Sequence, residues 1–496
     1  MKTDDKELLK AMLKDKHLLV ASHSEPYTHY REEGTIKMRS GTGGVVAALD
    51  PLLAYSNGTW VSVGSGEVDR QVADNEGKVR VPDKNGYVLK RIFITKAERE
   101  AYLDGVSNGA LWPLAHAVYV RPRFVDSQWA TFKKVNRKFA IAIAKETRHN
   151  SIVWIHDFQL CMVPRYLRKL RPDISIAFFW HIPWPGAQVF SICPWAGEIL
   201  ESLLCTDLVG MHTPQYAYNF LESVDRELEA RVDKPDSIVY YRKKPTAIRA
   251  NPISIDYGAA RQLAGMKQSA FVKELFAKNG LDKAQYAVGV DRMDYIKGIP
   301  EKIKAVDVFL RECPQYIGKF SLLQIASPTR VHQSAYQRLA REVAWLAGEV
   351  NGKYDGMAKK ANPNWKPIVL VERQIDKSDV YAIYAGAKMC MVTSLHDGLN
   401  LVCKEFVAAR SRLDGTLLLS KFAGASSELA GARKINPYSM ESVVNAMRAG
   451  FEQSAKEEHR RMVLMARQIE ENDVYHWSFG FLRELQSAHA QSRWHR

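Results

Sequence analysis

Several signatures are missing from this chain of 496 residues. No apolar run approaches the ~20 residues that a membrane-spanning helix needs, so no membrane span or membrane partner is expected. The opening stretch MKTDDKELLKAMLKDKHLLVAS has no apolar core of signal-peptide type before its charges end. It reads as an amphipathic helix leading into a first strand. Cysteine is scarce: Cys161, Cys193, Cys205, Cys313, Cys390 and Cys403 are scattered, with no CxxC pair. That excludes a zinc ribbon or a dithiol redox centre and fits buried, reduced thiols in the cytoplasm. No GxxxxGK[ST], HExxH or GxSxG sequence occurs, so a P-loop, a zinc protease site and a hydrolase elbow are set aside. The GTGG cluster at 41–44 lacks the GxGxxG form and its acidic partner. It is either a backbone-amide site under a ligand or a plain tight turn. There is no short-period repeat and no low-complexity tract. Acidic residues are in deficit, 55 against 70 Lys and Arg, for a net charge of +15. Such a surplus attracts anions. The basic residues are dispersed and carry no nucleic-acid recognition signature, so no nucleic-acid partner is expected.

What is present is alternation. Runs apolar on both faces recur: SIVWIHD from 151, ISIAFFWHIP from 174, YAVGVDR from 286, FSLLQIAS from 320, PIVLVE from 367, MCMVTS from 389 and GTLLLSKF from 415. Two-sided apolar runs suit central strands of a parallel sheet covered by helices. Segments such as EKIKAVDVFLREC and YQRLAREVAWLAGEV between them have helical spacing. The fold class expected is α/β, with two parallel-sheet domains facing a cleft. Pro and Gly punctuation in RANPISIDYG places the boundary near 250–258, so the first domain is 1–255 and the second starts at 256.

In open α/β sheets, ligands bind beyond the carboxyl ends of the strands. There the chain places His156 and Asp157, then His181, then Arg292, Asp294, Lys297 and Gly298, then Arg330, then His396, Asp397, Gly398 and Asn400. In MVTSLHDGLNLVCKE, Gly398 permits a tight turn, and a helix beginning near Leu399 would present free amides and a positive dipole end to a diphosphate. Asp397 could accept bonds from sugar hydroxyls. Glu405 is either a solvated helix-face residue or a carboxylate for a ribose diol. Arg292 and Lys297 either converge on one phosphate, offsetting leaving-group charge without a metal, or Arg292 simply pairs with Asp294.

These residues are familiar as a set. GTGGVVAALDP, GTWVSVGSG, SNGALWPL, WIHDFQL, FFWHIPWP, DRMDYIKGIP, ASPTR, HDGLNLVCKEFVAAR, KFAGASSEL and INPY occur in that order, from about Val20 to about Leu485. The chain resembles the trehalose-6-phosphate synthase family of retaining glycosyltransferases, which have the two-domain GT-B fold. It also shares patterns with the glucosylglycerol-phosphate synthases. The resemblance implies a second domain over 256–475 and a final helix, 476–496, returning to the first. It implies transfer of glucose from UDP-glucose or GDP-glucose to glucose 6-phosphate, with no cofactor and no metal. It places Gly44 under the donor diphosphate, and Asp157 and His181 at the transferred sugar. Arg292 and Lys297 would clamp the donor phosphates. Asp397 and the amides of Gly398, Leu399, Asn400, Leu401 and Val402 would hold sugar and phosphate. Ile375 would lie by the base and Glu405 at the ribose. Trp60 and Trp112 would line the acceptor pocket, with Arg330 at the acceptor phosphate. The mechanism implied is front-face displacement with retention, in which the donor phosphate takes the acceptor proton and no protein nucleophile is needed.

Two departures fall on the acceptor side. The family's SNR reads Ser22-His23-Ser24 here, so Ser24 stands where an arginine grips the acceptor phosphate. Leu103 stands where a tyrosine does, beside Tyr102. Each lost charged hydrogen bond is worth ~1.5–3 kcal/mol. A second family-typical basic position, after the VERQ stretch, appears as Lys377. Three readings follow: glucose 6-phosphate with His23, Arg31 or Arg330 compensating; another acceptor, such as glycerol 3-phosphate or a cyclitol phosphate; or a non-catalytic sugar-nucleotide sensor. The sequence leaves homo-oligomer formation open.

Overall fold

The computed structural model describes residues 5–494 apart from 42, 57 and 359. Thr42, within the GTGG cluster, lies outside the described residues. The chain divides into two compact units. One runs to Ile253 and takes up the chain again from Val474; the other is Ser254–Asp473.

In the first unit the strands are β1 His17–Ala21, β2 Tyr27–Glu32, β3 Thr35–Ser40, β4 Thr59–Val63, β5 Lys78–Val81, β6 Tyr87–Ile92, β7 Ser151–His156, β8 Ser175–Phe179, β9 Leu208–Met211, β10 Arg231–Asp233, β11 Ile238–Tyr241 and β12 Lys244–Ala250. All but β2 and β3 form one sheet, in the order β10-β11-β12-β9-β8-β7-β1-β4-β6-β5. The run from β12 to β6 is parallel, and antiparallel hairpins close both edges. β2 and β3 make a separate hairpin. Central strands are buried end to end: every residue of β4, β7 and β9 is buried. This is why they read as continuous apolar runs rather than alternating ones.

The second unit holds β13 Gln285–Arg292, β14 Phe320–Ser327, β15 Ile368–Val371, β16 Met389–Val392, β17 Thr416–Ser420 and β18 Arg433–Ile435, all parallel, in the order β15-β14-β13-β16-β17-β18. Helices Ile299–Glu312 and Ser334–Lys353, both expected from their spacing, pack on it through Ile303, Val306, Phe309, Val343 and Leu346.

The C-terminal helix Val474–Trp494 belongs to the first unit. Trp477 is buried and donates its Nε1 to the Asn251 carbonyl at 3.1 Å. Phe481 is buried against Phe179 and Trp154. Arg249 pairs with Glu484 at 3.2 Å, and His489 with the fully buried Asp207 at 3.1 Å.

Strand order reverses once in each unit. In the first, the series grows outward from β1 on one side and from β7 on the other. In the second, the reversal lies between β13 and β16. The crevice at such a reversal is where open α/β sheets bind ligands.

Candidate active site

In the second unit the loops after β13 and β16 are knitted together. Gly298 takes a left-handed φ of 62°, and a Cβ there would sit 2.2 Å from the Thr393 carbonyl oxygen. The Thr393 hydroxyl donates to the Gly298 carbonyl at 2.9 Å, and the Leu395 amide to the Ile296 carbonyl at 2.7 Å. Glycine is needed at 298 for both conformation and close approach. Across this seam Lys297 Nζ meets Asp397 Oδ2 at 2.6 Å, with both side chains about nine-tenths buried (12% and 13% exposed). The same carboxylate oxygen accepts from Ser394 Oγ and Asn400 Nδ2, each at 3.1 Å. Asp397 is thus held by three donors and is preorganised.

One expectation about this turn is corrected. The helix begins at Val402, not near Leu399. The left-handed residue of the turn is Asn400, with φ 78°. Asn tolerates that conformation, and here its amide also anchors Asp397. The close approach that requires glycine is at Gly424, where a Cβ would lie 2.1 Å from the Gly398 carbonyl oxygen. The segment Gly398–Leu401 is irregular, with Leu399 buried and Leu401 half-buried.

Glu405 lies in the first turn of helix Val402–Ala409 and is half-buried. Burial pushes its carboxyl up to about 6, opposed by the Lys377 charge. It is not a solvated helix-face residue. Lys377 opens the helix Lys377–Gly386 and lies 5.8 Å from the Tyr381 ring. Its charge acts on Glu405. Ile375, half-buried, lies two residues before it. Arg292 ends β13 and is exposed. Asp294 is fully buried and accepts from Arg330 Nη1 at 3.0 Å. Arg330 has φ 47°, and its guanidinium rests over the Tyr336 ring at 5.2 Å.

In the first unit, β1 and β7 are paired in register, Ala21 beside Ile155. The Ser22–Ser24 loop and Asp157 therefore leave adjacent strand ends. Asp157 has φ 73° and ψ 161°, a region essentially reserved for glycine. Its Oδ1 accepts from the Phe158 amide at 3.0 Å and the His181 amide at 3.2 Å. Strained carboxylates held this way cluster at functional sites. His181 is half-buried, 4.6 Å from Phe179 and 5.2 Å from His212 between ring centroids. Burial and the neighbouring histidines hold it well below the usual imidazole range, so it is neutral.

Ser24 is exposed. Its carbonyl accepts from Ser22 Oγ at 2.6 Å, and Ser22 Oγ accepts from Trp60 Nε1 at 2.9 Å. Trp60 is completely buried and stacked on Tyr87, so it supports the loop from behind rather than lining an open pocket. Trp112 is also buried, between His116 and Phe158. Leu103 is half-buried on a π-helix, Glu100–Leu111. Next to it Tyr102, fully buried, brings its hydroxyl to 3.4 Å from His23 Nδ1. Arg31 is engaged on the β2–β3 hairpin with Gly34 and Gln71. Gly44 is exposed at the start of helix Gly44–Ser56. Asp50 ties that helix down by accepting from Tyr27 and Tyr87 at 2.9 and 2.5 Å.

The sequence reading did not pick out Ser394, and it gave Asp294 and His156 places after strands but no role at the site. The first two hold Asp397 and Arg330. All three lie at or just after a parallel strand's carboxyl end, which was the available signal.

The family model for glycosyltransferase family 20 matches residues 16–487. The chain belongs to glycosyltransferase family 20. Among curated family members, it is 36% identical to a trehalose-6-phosphate synthase of Mycolicibacterium gilvum over 463 residues, 92% of this chain and 90% of that one. It is 30% identical to a UDP-forming trehalose-phosphate synthase of Dictyostelium discoideum, over 95% of this chain and 62% of that one. The Burkholderia xenovorans synthase structure with glucose-6-phosphate superimposes with a TM-score of 0.84 at 27% identity, covering 95% of this chain and 100% of that one. The E. coli structure with bound UDP-2-fluoro glucose gives 0.83 at 28%, covering 95% and 98%. The fold is GT-B and the protein is a glycosyltransferase.

Proposed function

We propose that this family 20 glycosyltransferase moves glucose from UDP-glucose to glucose 6-phosphate, with retention, forming trehalose 6-phosphate. The carrying observation is the Lys297–Asp397 clasp at the strand reversal of the second unit. A donor diphosphate arriving there meets Lys297, the exposed Arg292 and the first amides of helix Val402–Ala409. Asp397, already oriented, accepts from hydroxyls of the transferred glucose. Glu405 takes the ribose, and backbone near Ile375 takes the base. In the first unit, Asp157 and His181 serve the sugar, and Gly44 serves the diphosphate. Relatives solved with a UDP-glucose analogue and with glucose-6-phosphate support both substrates.

The chemistry asked of the chain is positioning and charge stabilisation. As the glycosidic bond to phosphate lengthens, charge builds on the leaving diphosphate, and Arg292 and Lys297 offset it. The incoming hydroxyl approaches from the same face and passes its proton to that phosphate. We assign no resident metal or cofactor, because Arg292 and Lys297 supply the charge that a divalent ion would otherwise give. Arg292→Ala and Lys297→Ala test this assignment. Each should cost about 10²–10³-fold or more in kcat with the circular dichroism spectrum unchanged. Turnover within a few-fold of the parent in either variant would remove the donor-site assignment.

A further inference from the structure

The end of β7 carries a side chain that the proposed reaction leaves unused. His156 is the last residue of that strand and is completely buried. Its ring lies 4.8 Å from the Trp154 ring and 6.4 Å from the Phe179 ring, centroid to centroid. Trp154 is packed in turn against Trp477 and Phe481 of the C-terminal helix, each at 4.9 Å. The His156 ring is therefore fixed. Its Nδ1 lies 2.9 Å from Nε2 of His181, the half-buried ring. A fixed inner imidazole holds a partly exposed outer one.

One proton must lie between those two nitrogens. A neutral imidazole has one N–H and one lone pair. Burial keeps both rings neutral: it pushes His156 down to about 3 and His181 well below the ordinary range. Two arrangements satisfy the bond. In one, His156 donates from Nδ1, and the His181 proton resides on Nδ1. In the other, His181 donates from Nε2, and the His156 proton resides on Nε2. The second buries an N–H at His156 Nε2, which meets no hydrogen-bonding atom of any described residue. The first leaves only a lone pair there. Orphaned buried N–H groups are rarer than under-satisfied acceptors. The hydrogen bond at one ring nitrogen thus decides the tautomer at the other.

We propose that His156 is a positioning residue that locks His181 in its Nδ1–H tautomer, so that His181 offers an N–H donor, not a lone pair, to an oxygen of the transferred sugar. This rests on the reading that His181 meets that sugar. It makes His181 a hydrogen-bond donor and denies it the role of general base. That agrees with a reaction in which the leaving phosphate takes the proton.

The test combines nitrogen NMR with kinetics. In protein labelled with ¹⁵N-histidine, with the His181 signals assigned from His181→Gln, Nδ1 should be protonated and Nε2 unprotonated without substrate. In His156→Phe that preference should be lost. There kcat should fall about 10–100-fold, with the donor KM within about threefold of the parent. His156→Asn, whose amide nitrogen takes the place of Nδ1, should recover much of the rate. A proton on Nε2 of His181 in the parent protein overturns the proposal whether or not either variant folds. So does a His156→Phe protein with unchanged tautomer and kcat. The NMR reading needs no turnover, so it is separable from the function: the expected tautomer together with a fully active His181→Ala, which has no donor, would overturn the sugar contact, and the donor role with it.

Discussion

Burial of the Glu405 carboxyl has opposite consequences for stability and for donor binding. Its folded-state value of about 6 lies above the ordinary carboxyl value of 4.5, so between those pH values the folded protein binds more protons than the unfolded chain. Stability therefore falls as pH rises through that window and is flat above it. Because Glu405 is only half-buried, we put the cost at ~1 kcal/mol. Glu405→Gln should raise the melting temperature by about 2–4 °C at pH 7, and by almost nothing about one pH unit below 4.5, where the Glu405 carboxyl is protonated in both the folded and the unfolded chain. Donor binding goes the other way. An ionised Glu405 accepts the ribose diol, so the donor KM of the parent should drop as pH rises through about 6, and the variant should lose that dependence. A donor KM flat from pH 5 to 8 in the parent would contradict the assignment. Ser24 gives a second residue-scale expectation. It is exposed, so an arginine fits without burying charge. Ser24→Arg should lower the KM for glucose 6-phosphate about tenfold or more, the worth of one charged hydrogen bond. An unchanged KM would place phosphate recognition elsewhere.

At the scale of elements, the C-terminal helix is a structural part of the first unit. Trp477 fills the space beside Trp154 and Phe179 and bonds Asn251. Trp477→Ala should destabilise that unit by about 3–5 kcal/mol, read as a shifted midpoint in urea; a shift below ~1 kcal/mol would mean the helix is dispensable. Elements were unequally legible in the sequence. Every two-sided apolar run is a parallel strand, because burial on both faces demands that pattern. The β11–β12 hairpin was not legible. It turns through Arg242 and Lys243, both at positive φ, where Gly or Asn would have signalled it. The helical stretch before Trp112 is a π-helix, and apolar spacing does not distinguish its winding. The site residues were legible because they follow strands. Their partners were not: Asp294 goes to Arg330, and Lys377 faces Glu405, through backbone paths that side-chain order does not encode.

At the scale of the whole molecule, each unit brings its candidate residues to its own strand reversal. Arg292, Lys297, Asp397 and Glu405 lie in the second unit with Arg330, while Gly44, Asp157 and His181 lie in the first, as do the two departures from the family's pattern, Ser24 and Leu103. The account therefore claims an intact donor chemistry and a glucose 6-phosphate acceptor held with fewer contacts. The direct measurement is UDP release from UDP-glucose in EDTA, with glucose 6-phosphate, with glycerol 3-phosphate and with no acceptor, each product identified by mass. The account predicts release that requires glucose 6-phosphate, survives EDTA and yields a phosphorylated disaccharide. Release only with glycerol 3-phosphate, or none with any acceptor, would contradict it.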